Sequence, residues 1–289
     1  MKKIAIATDS NSGITQAEAK EKGVFVLPMP FTIGDDEYFE DINLSQDEFY
    51  EKLKNNEDVK TSQPALGALE DFWDNILKDY DEIVYIPMSS GLSKSCESAM
   101  NFAEEEKFAG KVFVVDNQRI SVTLKGTVFQ AKRMAESGKS GAEIKQILTD
   151  TKFDSSIYIM VDTLKYLKKG GRVTPAGAAL GTLLHIKPVL QIQGGKLDAY
   201  KKVMGSKMAC QAMIEAVKAD LNTRFKDVRQ DMKLCFAHTH NEENARKFVE
   251  EVKKAIPDVE VAFCDPLSLS VSCHIGPGAL AAALYREIL

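Results

Sequence analysis

Four short segments of this chain are rich in hydroxyls and glycine: Thr8-Asp9-Ser10, Thr61-Ser62-Gln63-Pro64, Ser89-Ser90-Gly91-Leu92-Ser93 and His274-Ile275-Gly276-Pro277-Gly278. Each falls where the residue pattern predicts that a strand ends and a helix begins. The first turn of a helix leaves backbone N–H groups without partners, with the positive end of the dipole behind them. Serine and threonine hydroxyls added to such a turn make a natural anion holder. The expected chemistry is recognition of an anionic group, and the question becomes what that group is attached to.

Covalent and metal chemistry find less support. Gly138-Lys139-Ser140 imitates the end of a phosphate-binding loop, but Arg133 stands where its first glycine belongs. Neither a G-x-G-x-x-G fingerprint nor a G-x-S-x-G elbow occurs. His238-Thr239-His240 would point two imidazoles the same way at a strand end, but no third ligand follows at metal-like spacing, so a structural pair is expected. Cys273 adjoins His274 without a second histidine or acid nearby and reads as a buried thiol. His185, in an apolar stretch, reads as a packed or rim histidine. Asp9 is expected to brace its turn by accepting backbone N–H groups.

These residues need a scaffold. Continuous apolar strands are predicted at 4–8, 24–27, 83–87 and 112–115. Helices are predicted at 16–20, 47–53 and 66–77, then up to about 103 and about 136, and at 142–148 behind a Ser140/Glu143 capping box. Unbroken strands alternating with helices imply an α/β fold, a parallel sheet covered on both faces in three layers. After about residue 155 the character changes. A strand at 157–161, a short helix at 163–167, a hairpin of 188–192 with 197–203 around Gly194-Gly195, and helices at 207–221 and 245–255 alternating with strands at 234–238 and 259–263 predict a two-layer α+β domain. The expected division is 1–155 and 156–289, with no evident linker, so the domains should pack closely and share a cleft.

Composition narrows the class. At 289 residues the chain exceeds one ordinary core. Thirty-seven basic against 42 acidic residues leave a net charge of −5, which argues against nucleic acid as a partner. No apolar run approaches the roughly 20 residues of a membrane span. Asp9 interrupts the first apolar stretch too early for a signal segment, so a cytoplasmic location is expected. Five cysteines without a C-x-x-C pair are expected to be reduced.

Taken in order, the four segments, together with Leu164-Lys165-Tyr166-Leu167-Lys168-Lys169-Gly170-Gly171-Arg172 and Lys187-Pro188-Val189-Leu190, resemble the DegV family along nearly the whole chain. The resemblance implies a two-domain α/β protein holding a long-chain fatty acid between its domains. It also implies a carrier without catalysis of its own, cofactor or metal, touching membranes at most transiently. A separate fatty acid kinase would phosphorylate the presented carboxylate with ATP, and the acyl phosphate would enter phospholipid synthesis. By resemblance, Thr61 and Ser93 donate hydroxyl hydrogen bonds to the carboxylate, with Ser62 and the backbone of Gly91, Leu92 and Ser93 nearby. His274 completes the head-group site, and Arg172 reaches the kinase or the product phosphate. Two positions depart from the family pattern: Lys94 stands where a glycine is common, and Asp116-Asn117 where aspartate-serine is usual.

The acyl tail requires an apolar tunnel, for which 157–161, 176–184 and 263–271 are the candidate walls. Burial is worth about 0.8 kcal/mol per methylene, so a sixteen-carbon chain gains on the order of 10 kcal/mol before association costs. Two other readings remain open. One is a small-molecule phosphotransferase or hydrolase with Ser93 as nucleophile and His274 as base. The other is a sensor whose lipid occupancy controls a protein partner without a kinase.

Overall fold

The computed structural model describes residues 2–55, 57–180 and 186–288. The chain opens with β1 (Ile4–Asp9), α1 (Gln16–Lys22) and β2 (Phe25–Leu27). A small antiparallel sheet follows, made of β3 (Phe31–Ile33), β4 (Asp36–Tyr38) and, beyond α2 (Gln46–Lys54), β5 (Val59–Thr61). Then come α3 (Leu66–Leu77), β6 (Glu82–Ile86), α4 (Ser95–Phe102), β7 (Val112–Val114), α5 (Ser121–Glu136) and α6 (Gly141–Asp150).

The strands β2-β1-β6-β7 form a sheet in that order, every pair parallel. Both faces are covered, which is why these strands read as unbroken apolar runs. On one face α3 presents Leu69, Trp73 and Ile76, a helical i, i+4, i+7 spacing. Trp73 packs against Phe102 and Phe108 at centroid distances of 5.5 and 5.1 Å. The other face carries α1, α5 and α6 through Ala19, Leu124, Val128 and Ile144. Ser140 and Glu143 close the capping box on α6, so the Gly138-Lys139-Ser140 run serves a helix start.

The second half comprises β8 (Ser155–Met160), α7 (Lys165–Gly170), α8 (Pro175–Ala179), β9 (Ile186–Ile192), β10 (Asp198–Met204), α9 (Gly205–Asn222), β11 (Met232–His238), α10 (Glu242–Ala255), β12 (Val261–Pro266), α11 (Leu269–Ile275) and β13 (Leu280–Arg286). Its six-stranded sheet runs β10-β9-β8-β13-β11-β12 and is mixed, with β11 and β12 parallel and the other pairs antiparallel. Alternation along β8 sends Tyr158 and Met160 to α9 and α10, and Ile157 and Ile159 to the opposite face. That opposite face packs against Leu92, Ile120 and Val122 of the first half and against α7 and α11. Residues 157–161, expected as a tunnel wall, pack with Leu92 and Ile120 but do not themselves line the cavity between the halves.

Two parts of the sequence reading change. The fourth hydroxyl- and glycine-rich segment does not open a helix: His274 sits in the last turn of α11, and Gly276-Pro277-Gly278 leads out into β13. Gly276, at φ +76°, and Pro277 are helix-stop signals. The 263–271 run, read as one apolar wall, is the end of β12 and the start of α11. His185 and residues 181–184 lie outside the described residues.

The halves are interlaced. Leu269 and Cys273 of α11 share a core with Phe31, Phe49 and Tyr50 of the small sheet and α2. Lys125 on α5, almost wholly buried, reaches Glu18 of α1 and Asp265 of β12, each at 2.8 Å.

Candidate functional site

Helix α11 is the reference bar of the site. Ser270 and His274 lie four residues apart and so share a face, and both line a cavity between the two halves. Each end of that face is tied to the first half. The Ser270 hydroxyl donates to Asn11 Oδ1 at 2.7 Å. His274 Nε2 lies 2.8 Å from Thr61 Oγ1 at the end of β5. On the opposite side of the helix, the Tyr50 hydroxyl donates to Ser272 at 3.0 Å.

His274 is neutral at ordinary pH. Burial, assisted by the Arg172 guanidinium nearby, lowers its pKa to about 4. The ring is also tightly seated. A Cβ built on Gly170 would fall 2.1 Å from His274 Nδ1, so any larger residue there must displace the ring.

The Ser89–Ser93 loop differs from the expected anion cradle. The Leu92 and Ser93 N–H groups donate to the Ser89 carbonyl at 3.0 and 3.1 Å. The Gly91 N–H donates to Ser89 Oγ at 3.2 Å. The backbone of this loop is thus already satisfied from within, and what it offers a ligand is the Ser93 side chain. Ser93 Oγ is 2.9 Å from Ser95 Oγ and accepts the Ser95 N–H. Asp116 holds the loop, accepting both the Ser90 N–H and the Ser90 hydroxyl. Next to it Asn117 is fully buried, and its Nδ2 has no hydrogen-bond partner.

Gly91 contributes by close approach. A Cβ there would stand 2.3 Å from Gly195 Cα, so the loop and the β9–β10 hairpin tip meet backbone to backbone. Arg172 fastens the same seam, donating from Nε to the Leu92 carbonyl at 3.3 Å and from Nη1 to the Gly170 carbonyl. Ser62 is exposed at the rim, and its N–H donates to the Pro30 carbonyl at 3.3 Å.

The cavity measures about 490 Å³, within the roughly 300–1,000 Å³ of small-molecule sites. Thr61, Ser62, Gly91, Leu92, Ser93, Arg172 and His274, all singled out from the sequence, line it. So do Met29, Met88, Ile120, Leu167, Leu197, Val271 and Ile275, which supply an apolar wall. Lys94 and Lys196 add positive charge at the rim beside Arg172, against Glu97 as the one carboxylate among the lining residues. Sequence reasoning missed Asn11 and Ser270. The signal for Ser270 was its i, i+4 spacing from His274, legible only to a reader who places α11 as a helix.

The remaining candidates fall elsewhere. Asp9 accepts from the Asn11 and Met88 N–H groups and from Asn11 Nδ2, and burial raises its pKa to about 6. Cys273 is buried in the core beneath the small sheet, and burial pushes its thiol pKa up. His238 is buried at the end of β11, while His240 is exposed and stacks on Tyr50 at 4.8 Å. Among the described residues no group of three or more histidine, cysteine or acidic side chains is placed to hold a metal ion. Nor is any helix among them long and apolar enough to cross a membrane.

Residues 3–287 match a family model described as "Uncharacterised protein, DegV family". Protein DegV of Bacillus subtilis is 30% identical over 283 residues, spanning 96% of this chain and 97% of that protein. Among solved structures, a DegV family protein from Thermus thermophilus, described by its fatty acid binding, superposes with a TM-score of 0.88 at 28% identity, covering 98% of this chain and 99% of the other. DegV from Bacillus subtilis, described as a fatty acid binding protein, superposes with a TM-score of 0.85 at 27% identity, covering 99% and 100%.

Proposed function

The chain belongs to the DegV family, and from that premise we propose that it binds a long-chain fatty acid in the cleft and presents the carboxylate to a separate fatty acid kinase. The observation that carries this reading is the cavity itself: its lining combines an apolar wall with the hydrogen-bonded Thr61–His274 pair, Ser93 and Arg172. A fatty acid has the matching shape, one small anion on a long apolar tail. Two solved relatives are described as fatty acid binding.

The proton positions follow from the geometry. Thr61 has one hydroxyl hydrogen. For Thr61 to donate it to a carboxylate, His274 must supply Nε2–H to Thr61 Oγ1 rather than receive the threonine proton. Because His274 is neutral, this selects its Nε2–H tautomer. His274 then orients the threonine hydroxyl toward the head group, and Ser93 contributes a second hydroxyl. Arg172 and the two rim lysines add attraction for the anion, and they would face the phosphate when the kinase transfers it to the carboxylate oxygen.

The hydrolase alternative requires His274 beside Ser93. Its Nε2 is bonded to Thr61 and Ser93 Oγ to Ser95, so the geometry gives that alternative no support. The test is equilibrium binding of labelled palmitate to the wild type, Thr61→Val and His274→Ala, with thermal melts as controls. Each variant should bind about tenfold or more weakly, the equivalent of one lost charge-assisted hydrogen bond, while remaining folded. Unchanged affinity in both would overturn the site. Phosphorylation of the bound ligand by a fatty acid kinase with ATP tests the presenting role.

A further inference from the structure

Glu40 does not line the cavity, yet it holds the helix that does. It lies just before α2, and its Oε2 accepts the Leu269 N–H at the start of α11 at 2.8 Å. Its Oε1 accepts from Gln46 Nε2 at 2.8 Å, and that same amide donates to the Leu267 carbonyl at 3.1 Å. The first turn of α11 has no side-chain cap of its own. Glu40 therefore supplies from a distant segment what a local cap supplies elsewhere.

We propose that Glu40 is a positioning residue for the head-group site: by clasping the N-terminus of α11 it sets where Ser270 and His274 stand, and its charge state governs how firmly they stand there. This rests on the fatty-acid reading of the cavity, although the clasp itself is testable without a ligand. His274 is five residues from Leu269, about 7.5 Å along the helix axis. A helix of seven residues has few internal hydrogen bonds to resist tilting once its start is released.

Both donors to Glu40 are neutral amides. The groups facing it are Asp41 beside it in sequence, Tyr50 of α2 and Cys273 of α11, with His240 stacked on the far side of Tyr50. Asp41 and burial oppose ionisation, while the Leu269 N–H and Gln46 favour it. Burial is the largest influence and raises the pKa from 4.5 to about 7. The clasped state thus binds a proton more tightly than a released, solvated Glu40. Clasping is favoured below pH 4.5 and weakens as pH rises toward about 7, beyond which it is flat. Between pH 6 and 8 His274 is neutral throughout, its own pKa being about 4, and Asp9, which holds Asn11 beneath Ser270, is raised only to about 6, so Glu40 is the group of this assembly whose charge changes most across that window.

The experiment measures two quantities at pH 6 and pH 8 in the wild type, Glu40→Gln and Glu40→Asp. The first is hydrogen exchange of the backbone amides of residues 269–275 in ligand-free protein, corrected for intrinsic pH dependence. The second is the dissociation constant for labelled palmitate. In the wild type, exchange protection should fall by up to about tenfold from pH 6 to pH 8, and palmitate should bind correspondingly more weakly. Glu40→Gln, which keeps an acceptor but cannot titrate, should remove most of the pH dependence of both quantities, leaving only the smaller contribution of Asp9. Glu40→Asp, one methylene shorter, should lower protection at both pH values. If Glu40→Gln retains the wild-type pH dependence, or if the wild type has none, the proposal is overturned. If exchange behaves as stated but palmitate does not bind at any pH, the clasp stands as a structural device and the fatty-acid reading fails, and with it the positioning role.

Discussion

Replacing Gly170 by alanine tests the head-group geometry without touching any residue that meets the ligand. The added methyl would lie 2.1 Å from His274 Nδ1 and 2.7 Å from Cε1, where ordinary contact begins at 3.4 Å. The ring must clear about 1.3 Å, but Thr61 Oγ1 stands 2.8 Å beyond its other nitrogen. Trapped between the two, the imidazole cannot slide away and must leave its rotamer, breaking the bond to Thr61. An off-rotamer side chain costs about 0.5–1.5 kcal/mol and the lost hydrogen bond about as much again. Alanine in place of a helical glycine returns about 1 kcal/mol, so the melting temperature should change little. Retention should suffer more. Losing the oriented hydroxyl from a carboxylate costs about 1.5–3 kcal/mol, or about ten- to hundredfold in affinity. The assay is palmitate binding alongside a thermal melt for Gly170→Ala, His274→Ala and the double variant. Removing the imidazole removes the clash, so the double variant should be at least as stable as His274→Ala, and the two binding losses should not add. Wild-type affinity in Gly170→Ala, or additive losses in the double variant, would refute the reasoning.

Two further outcomes follow from the same site. Gly91→Ala sets a methyl 2.3 Å from Gly195 Cα, backbone that cannot rotate aside; it should destabilise the fold by about 1–3 kcal/mol and speed ligand release, read by a melt and a dissociation time course. His274, with a folded pKa of about 4 against an ordinary 6.5, stabilises the fold fully above pH 6.5. That stability, up to about 3 kcal/mol, is lost as pH falls from 6.5 toward 4. Denaturant titrations at pH 7 and pH 4.5 should show a smaller drop for His274→Gln than for the wild type.

Legibility from sequence followed the physics of each element. The parallel sheet announced itself because strands buried on both faces are continuous apolar runs, as in Ile83-Val84-Tyr85-Ile86. Helix α3 was legible from its Leu69–Trp73–Ile76 spacing, and α6 from its capping box. The small sheet was not, because its strands have three residues each, too few for a period to show. Helix α11 was hidden for a related reason: its start is capped by Glu40, which lies 229 positions away in sequence. That one miss inverted the reading of the His274 segment and concealed Ser270. The loop at Ser89–Ser93 was found by composition, but sequence could not show that Ser89 would occupy its backbone donors.

The central claim is that the cleft holds a long-chain fatty acid by its carboxylate. Native mass spectrometry of the purified protein, followed by denaturation and solvent extraction, tests it most directly. A single long-chain fatty acid released in near-stoichiometric amount from the wild type, and in smaller amount from Thr61→Val and His274→Ala, is the predicted result. A wild-type protein that carries no lipid and takes up neither palmitate nor oleate when they are supplied would contradict it.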